Sequence, residues 1–162
     1  MKSLKIFLLI ISLLTGQLIM AQNKEINDIT ISYYNIKNAL VADDGKMANT
    51  AAEIFLKRIE TLSNCSINAT QEKVWKEHKS KLIAAGEAIS KTTDIAKQRA
   101  HLNQLSISLF AILKAFKSDG GTVYYQYCPM KKAHWLSSEK DIKNPYYGKK
   151  MLTCGSEKEI LR

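Results

Sequence analysis

The chain has 162 residues, with 24 lysine and arginine residues against 15 acidic ones and a formal net charge of +9. That length suits one domain and is short for two. The basic residues are interspersed with acidic ones, and no run of consecutive basic residues is longer than two. This pattern is typical of solvated helix faces, so we do not expect a nucleic-acid-binding protein.

Residues 1–21 have the pattern of a secretory signal peptide. Two lysines near the start precede an apolar run over residues 6–14, and Ala21 ends an acceptable cleavage site. The run falls well short of the roughly 20 residues that a membrane-spanning helix needs. We therefore expect cleavage near Ala21, export to the periplasm or the cell exterior, and no stable membrane anchor afterwards. The mature chain, residues 22–162, is expected to be a single domain.

Apolar residues then recur every three or four positions in four successive stretches, which predicts four amphipathic helices. The apolar stripes run over residues 26–40, 47–62, 75–89 and 95–116. We expect Asn68 or Thr70 to cap the third helix and residues 92–94 to begin the fourth. The connections are short, which favours up-down order. The predicted fold class is therefore all-α, a four-helix up-down bundle.

The composition changes after residue 121. Residues 122–155 contain both prolines, five of the seven tyrosines and two of the three cysteines. Residues 123–127 have the aromatic and β-branched content of a strand. The sequence Ser-Glu-Lys-Glu over residues 156–159 fits a capping box and predicts a short terminal helix. We expect residues 122–155 to form an irregular C-terminal lobe that carries the functional site.

Two pairs of soft ligands stand in this lobe. Cys128 and Met130 would share a face of an extended segment, and Met151 and Cys154 would be neighbours within a turn. A tight turn is predicted between the pairs, over residues 144–148, so the chain can fold back and bring the thiols and thioethers together. Thiolates and thioethers together select soft metals, above all Cu(I), whereas Zn(II) prefers thiolate and imidazole.

An ordinary disulfide is the alternative for the same residues. Cys128 and Cys154 would then be joined in an oxidising compartment, while the two methionines fill a small core. The third cysteine, Cys65, is either unpaired or one half of a disulfide. The spacing of the residues leaves these alternatives open.

Short motifs in the lobe and in the helices form a characteristic set. They are CPM from residue 128, WLS from 135, NPYYG from 144 and ML-x-CG from 151, with further matching residues over 34–41 and 98–106. As a set, they resemble domain-of-unknown-function family 3347, and the resemblance covers almost the whole mature chain. It implies an exported protein of Gram-negative bacteria, related to domains on adaptor subunits of heavy-metal efflux systems, and a link to copper or another soft metal.

The resemblance also implies which residues would hold the metal. One further candidate, His134, precedes Trp135 where the family pattern has an aromatic residue, so it is particular to this sequence. The candidate metal ligands are Cys128, Met130, Met151, Cys154, His101 and His134.

These observations lead to two hypotheses of different classes. In the first, the protein is a periplasmic soft-metal binder, most readily of Cu(I), accessory to heavy-metal handling or efflux. In the second, it is a non-metal interaction module whose lobe, braced by a Cys128–Cys154 disulfide, presents aromatic side chains to a partner such as a periplasmic efflux adaptor. We do not expect an enzyme, because the sequence has no CxxC redox pair and no Ser-His-Asp order that can be argued for.

Overall fold

The computed structural model describes residues 24–62, 67–117 and 120–162. Its first part is a bundle of four helices: α1 over residues 24–41, α2 over Gly45–Leu62, α3 over Ala69–Ser90 and α4 over Ile95–Phe116. Within the described ranges, no helix is both long enough and apolar enough to cross a membrane. The predicted signal peptide and Cys65 lie outside the described residues.

The starts of α3 and α4 lie where their sequences predict them. The Asn68 side chain accepts the N–H of Gln71 and the Gln71 side chain accepts the N–H of Asn68, both at 3.0 Å. Asp94 accepts the N–H groups of Ala96 and Lys97 in the same way at the start of α4. Such caps satisfy N–H groups that have no partner inside the helix, so both predicted helix starts are confirmed.

One apolar core joins the helices. α3 packs against both α2 and α4, and the side chains of Phe55, Leu82 and Leu105 are fully buried between them. α2 and α3 approach closely at Gly86, where an added Cβ would lie 3.0 Å from the Leu56 side chain. The apolar stripes of the sequence therefore face inward, as expected of amphipathic helices.

A small antiparallel sheet follows the bundle. Its strands are β1 over Val123–Cys128, β2 over Ala133–Ser137 and β3 over Ser156–Leu161, in the order β2-β1-β3, with a 3₁₀ turn over Gly148–Met151. The strand predicted over residues 123–127 is confirmed as β1. The four helices are also confirmed, but the predicted all-α class is too strong because the lobe is built on this sheet.

The terminal helix predicted from Ser156 onward is wrong, since this segment is β3. Six residues are too few for a helix that gains nothing from packing. The edge of β1, in contrast, offers N–H and C=O groups that need partners. β3 pairs with that edge, with Val123 opposite Leu161 and Tyr127 opposite Ser156. This long-range pairing outweighs the local capping-box pattern.

The sheet has two covered faces. Side chains alternate along each strand, so Tyr125, Tyr127 and His134 share the face that meets α4. There the Phe110 ring of α4 stacks on Tyr125, with ring centroids 3.9 Å apart.

The opposite face carries Gln126, Cys128 and Trp135, and the segment between β2 and β3 covers it. The Gln126 side-chain amide donates to backbone carbonyls in that segment, at Glu139 and Lys140. This segment also contributes Cys154 to the site.

A buried tyrosine on α1 forms hydrogen bonds to both the lobe and α4. The hydroxyl of Tyr33 on α1 accepts the N–H of Leu136 on β2 at 2.9 Å. It lies 2.7 Å from the hydroxyl of Ser106 on α4, which itself donates to the carbonyl of Leu102. Since the Ser106 proton is already used, the Tyr33 hydroxyl is the donor in their bond. Burial raises the pKa of Tyr33, so this donor keeps its proton.

Candidate functional site

Cys128 and Cys154 lie in contact. Cys128 ends β1, and Cys154 comes two residues before the start of β3, which pairs with β1. Both are free thiols, and Cys128 lies close enough to Cys154 to raise the pKa of its thiol. Cys128 is fully buried and Cys154 is half-buried. The structure therefore brings together the two thiols that the sequence singles out.

The environment of Cys154 favours its protonated thiol. Burial, and then the neighbouring Cys128 thiol, raise the pKa of Cys154. Burial acts in this direction because a thiolate loses its hydration when it is removed from water. A metal ion that binds here has to displace a proton, so its apparent affinity must depend on pH.

Asn144 closes the loop that ends at Cys154. Its side-chain amide donates to the carbonyl of Cys154 at 2.6 Å, and its side-chain oxygen accepts the N–H of Tyr146 at 2.8 Å. Its own N–H donates to the carbonyl of Leu152 at 2.7 Å. Because Asn144 is fully buried, water cannot replace these bonds. The position of Cys154 is therefore fixed by hydrogen bonds within its own loop.

Arg99 fastens this loop to the bundle. Its Nε donates to the carbonyl of Pro145 at 2.7 Å, and its Nη2 donates to the carbonyl of Leu40 at 2.8 Å and to Asp43 Oδ1 at 2.7 Å. The other oxygen of Asp43 accepts the N–H of Lys149. The hydrogen bond from Arg99 lowers the pKa of Asp43 below its usual range. The loop between α1 and α2 is thus linked directly to the loop that ends at Cys154.

The predicted turn over residues 144–148 is confirmed. The N–H of Gly148 donates to the carbonyl of Asn144 at 3.0 Å. Gly148 has a φ of +54°, and an added Cβ would lie 2.6 Å from Nη2 of Arg99. Glycine is needed at this position both for its backbone conformation and for the close approach of the Arg99 side chain.

Met130 and Met151 occupy the two turns beside the cysteine pair. Met130 is 65% exposed and Met151 is 38% exposed. The N–H of Cys154 donates to the carbonyl of Met151 at 3.1 Å, so these two residues are neighbours in one turn, as predicted. With so much of each side chain in solvent, neither methionine fills a core.

The two candidate histidines lie elsewhere. His134 pairs with Tyr127 and so belongs to the sheet face opposite Cys128. Its ring stacks on Tyr125, with centroids 4.6 Å apart, and burial lowers its pKa. His101 is exposed on α4. In the part of the chain that the structure describes, no three His, Cys, Asp or Glu side chains form a group that could hold a metal ion.

Three buried polar groups near the lobe were not identified from the sequence. Gln126 Oε1 and Trp135 Nε1 have no hydrogen-bond partner among the described residues. Lys37 on α1 is almost fully buried, and burial lowers its pKa to about 8, partly offset by Glu139. One sequence signal did exist for Lys37: it lies four residues after Tyr33, and therefore on the apolar stripe of α1.

Comparison with known proteins identifies the family. A family model described as "Protein of unknown function (DUF3347)" matches residues 29–121, which is more than half of the chain. The chain therefore belongs to this family, and the family that the resemblance indicated is confirmed. The match covers nearly all of the bundle and ends before β1, so the cysteine pair lies outside it. No curated protein and no solved structure matches the chain.

Proposed function

We propose that this member of a family of unknown function binds a soft metal ion, with Cu(I) as the preferred ion, through Cys128 and Cys154. The observation that carries the proposal is the contact between the two thiols. Thiolates are the protein ligands that soft ions select most strongly, and Met130 and Met151 add thioethers in the adjoining turns. The physiological role is that of an exported accessory protein in heavy-metal handling or efflux.

Binding replaces the two thiol protons by one Cu(I) ion and releases both protons to solvent. Two sulfur atoms already in contact need only a small separation to accept an ion between them. Asn144 and the Arg99–Asp43 pair hold the Cys154 loop in place, so little conformational freedom is lost when the ion binds. The bound ion also protects the pair from oxidation, because the coordinated sulfurs are no longer available.

An anaerobic Cu(I) titration against a competing chelator tests this proposal. We expect one Cu(I) per chain, loss of tight binding in Cys128→Ser and Cys154→Ser, and weaker binding in Met130→Leu and Met151→Leu. Met47→Leu is the matched control, because Met47 is also exposed but lies on α2. Equal Cu(I) affinity in all three methionine variants would show that the thioethers are not ligands. Tight Cu(I) binding in both cysteine variants would contradict the proposal.

The dependence of affinity on pH gives a second test. Because the pKa of Cys154 is raised, the thiol holds its proton at neutral pH and the metal competes with it. The apparent Cu(I) affinity should therefore increase between about pH 6 and 8. In Cys154→Ser the remaining affinity should be lower, and its increase with pH should be smaller.

The same thiol contact supports a second candidate function, a disulfide-braced interaction module. A count of free thiols in protein isolated from the periplasm separates the two functions, with Cys65→Ser as the background so that only the pair is counted. Two free thiols that become protected by Cu(I) favour the metal site. A disulfide whose reduction creates no tight Cu(I) site would favour the interaction module instead.

A further inference from the structure

Two exposed turns lie together at one end of the sheet. They are residues 129–132, between β1 and β2, and residues 149–153, which precede β3. Because the strands are antiparallel in the order β2-β1-β3, the end of β1 and the start of β3 are adjacent. Every residue in both turns is exposed. We call these two turns the basic face, and Cys154 follows it directly.

The basic face carries uncompensated positive charge. Its four lysines, Lys131, Lys132, Lys149 and Lys150, are accompanied by no acidic residue in either turn. Among the described residues, none of the four makes a salt bridge, although lysines elsewhere pair with acids, as Lys91 does with Glu87 at 2.6 Å. Asp43 accepts the backbone N–H of Lys149 and also lies near the charge of that lysine, but its salt bridge is with Arg99, so the four lysines still leave a net positive charge on the face.

Apolar side chains share this face with the lysines. Met130, Met151 and Leu152 are all exposed there, although large apolar side chains elsewhere in the molecule are mostly buried. Apolar groups, methionine in particular, are enriched at the centres of protein interfaces, where charged groups form the rim. Cys154, half-buried, stands at the edge of this surface.

We propose that the basic face is the docking surface for an acidic protein partner that carries sulfur ligands and exchanges the metal ion with the cysteine pair. This inference rests on the proposed function. The four lysines attract negative charge and orient the partner before contact. The exposed methionines then meet the partner's ligands beside Cys154.

The surface chemistry favours a protein over an anionic membrane. A membrane covering the basic face would place lipid headgroups over Cys154, and headgroups offer oxygen ligands, which soft ions do not prefer. A protein surface can offer thioethers or thiols at the same place. Exchange of the ion between sulfur ligands then needs no free metal in solution.

The test uses two fluorescently labelled peptides of equal length. One alternates glutamate with methionine, and the other has glutamine in place of every glutamate. The basic-face variant is K131E/K132E/K149E/K150E. The control variant, K24E/K46E/K57E/K73E, has the same net charge, and its changes are at exposed lysines on α1, α2 and α3 that make no salt bridge among the described residues. Circular dichroism verifies that both variants fold.

Binding of the metal-free peptides, followed by fluorescence anisotropy, tests the surface itself. The wild-type protein should bind the acidic peptide more tightly than the neutral one, and added salt should weaken that binding. The basic-face variant should bind the acidic peptide about tenfold more weakly than the control variant does. Equal loss in the two variants would overturn the proposal, since only net charge would then matter.

Transfer of Cu(I) from the loaded peptides separates this proposal from the proposed function. The acidic peptide should load the wild-type protein about tenfold faster than the neutral peptide, and the basic-face variant should lose that advantage. Its equilibrium Cu(I) affinity should change much less than its loading rate, because lysines are not ligands and the two thiols remain in place. If neither peptide loads the protein while acidic-peptide binding persists, the proposed function and the metal exchange both fail, and only the docking of an acidic partner stands. If the wild-type protein bound anionic phosphatidylglycerol vesicles through these lysines but did not bind the acidic peptide, the proposal of a protein partner would be wrong.

Discussion

The bundle and the C-terminal lobe are stabilised in different ways. In the bundle, buried polar side chains often bond within their own helix, as Thr30 does with the carbonyl of Ile26, and the helices meet through apolar contacts. The lobe, in contrast, is held by side chains that bond to backbone carbonyls more distant in the chain. Asn144 in the lobe bonds to Cys154, and Arg99 on α4 bonds to Pro145. Apolar contacts tolerate small shifts, whereas a buried hydrogen bond is lost when one partner is removed. The site therefore depends on a few individual side chains.

The largest effect is expected from a cavity in the bundle. Phe55→Ala removes a fully buried ring and should lower the free energy of unfolding by about 3–5 kcal/mol. Because the lobe rests on the bundle, both regions should unfold in one transition in urea, followed by far-UV circular dichroism. The neighbouring Ile54 is exposed, so Ile54→Ala should change the free energy by roughly 0.5 kcal/mol or less. Unfolding of the bundle while the lobe keeps its structure would contradict this dependence.

A change in the lobe should act locally. Asn144→Ala leaves the carbonyl of Cys154 and the N–H of Tyr146 without their partners, at a cost of about 2–4 kcal/mol. Hydrogen exchange should become faster in β3 and in residues 144–154 while α2 and α3 keep their protection. Asn35→Ala, at an exposed position on α1, should leave exchange unchanged throughout. Faster exchange in all four helices would show that opening of the lobe also opens the bundle, and would contradict a local effect.

The buried Lys37, which lies on α1 near charged groups of the lobe, should make the stability of the protein depend on pH. Its pKa is lowered to about 8, so between pH 8 and roughly 10.4, the usual lysine value, the unfolded chain binds more protons than the folded one. Stability should therefore rise with pH from about 8 towards 10, above which tyrosine ionisation in the unfolded chain opposes it. Lys37→Met should abolish this rise. At pH 7 it should increase the free energy of unfolding, measured in urea, by about 2–3 kcal/mol.

The control for Lys37 is Lys57→Met, because Lys57 is exposed on α2. The rise in stability with pH should persist in this variant. The charged groups that act on Lys37 are Glu139 and Lys143, both in the lobe. If Lys37→Met retained the rise, a different group would have to be its source.

The smallest effect is expected at the link between the regions. Asp43→Asn weakens the bond to Arg99 and should lower the free energy of unfolding by about 1 kcal/mol, since the pair is partly exposed to solvent. The lowered pKa of Asp43 means that this contribution is present above roughly pH 4, the ordinary value, and is lost as pH falls through the folded value. Asp141→Asn, at an exposed position in the lobe, should leave the acid dependence unchanged.

The features that the sequence predicts correctly are set by neighbouring residues. The stripes of α1 to α4, the caps at Asn68 and Asp94 and the turn at Gly148 all arise within a few residues, where periodicity and backbone preference decide the structure. The sequence wrongly predicts a helix for β3 because the partner strand lies about 30 to 40 residues earlier, with Tyr127 opposite Ser156 and Val123 opposite Leu161. Pairing at that distance leaves no local pattern.

The site shows the same division. The contact between Cys128 and Cys154 agrees with the turn chemistry between them, which sequence motifs can indicate. The placement of His134 depends on the register between β1 and β2, and a shift of one residue would have moved it to the face of Cys128. Such a register is decided by packing against α4, which includes the stack of Phe110 on Tyr125.

The Tyr33 hydroxyl gives the assembly of the molecule an order in time. The N–H of Leu136 finds its acceptor only on a tyrosine 103 residues earlier in the chain, which is itself oriented by Ser106 on α4. Contacts across so long a loop tend to form after closer ones, so we expect α1 and α4 to meet before β2 docks. The lobe is therefore expected to reach its final position against the bundle after the contacts within each region have formed.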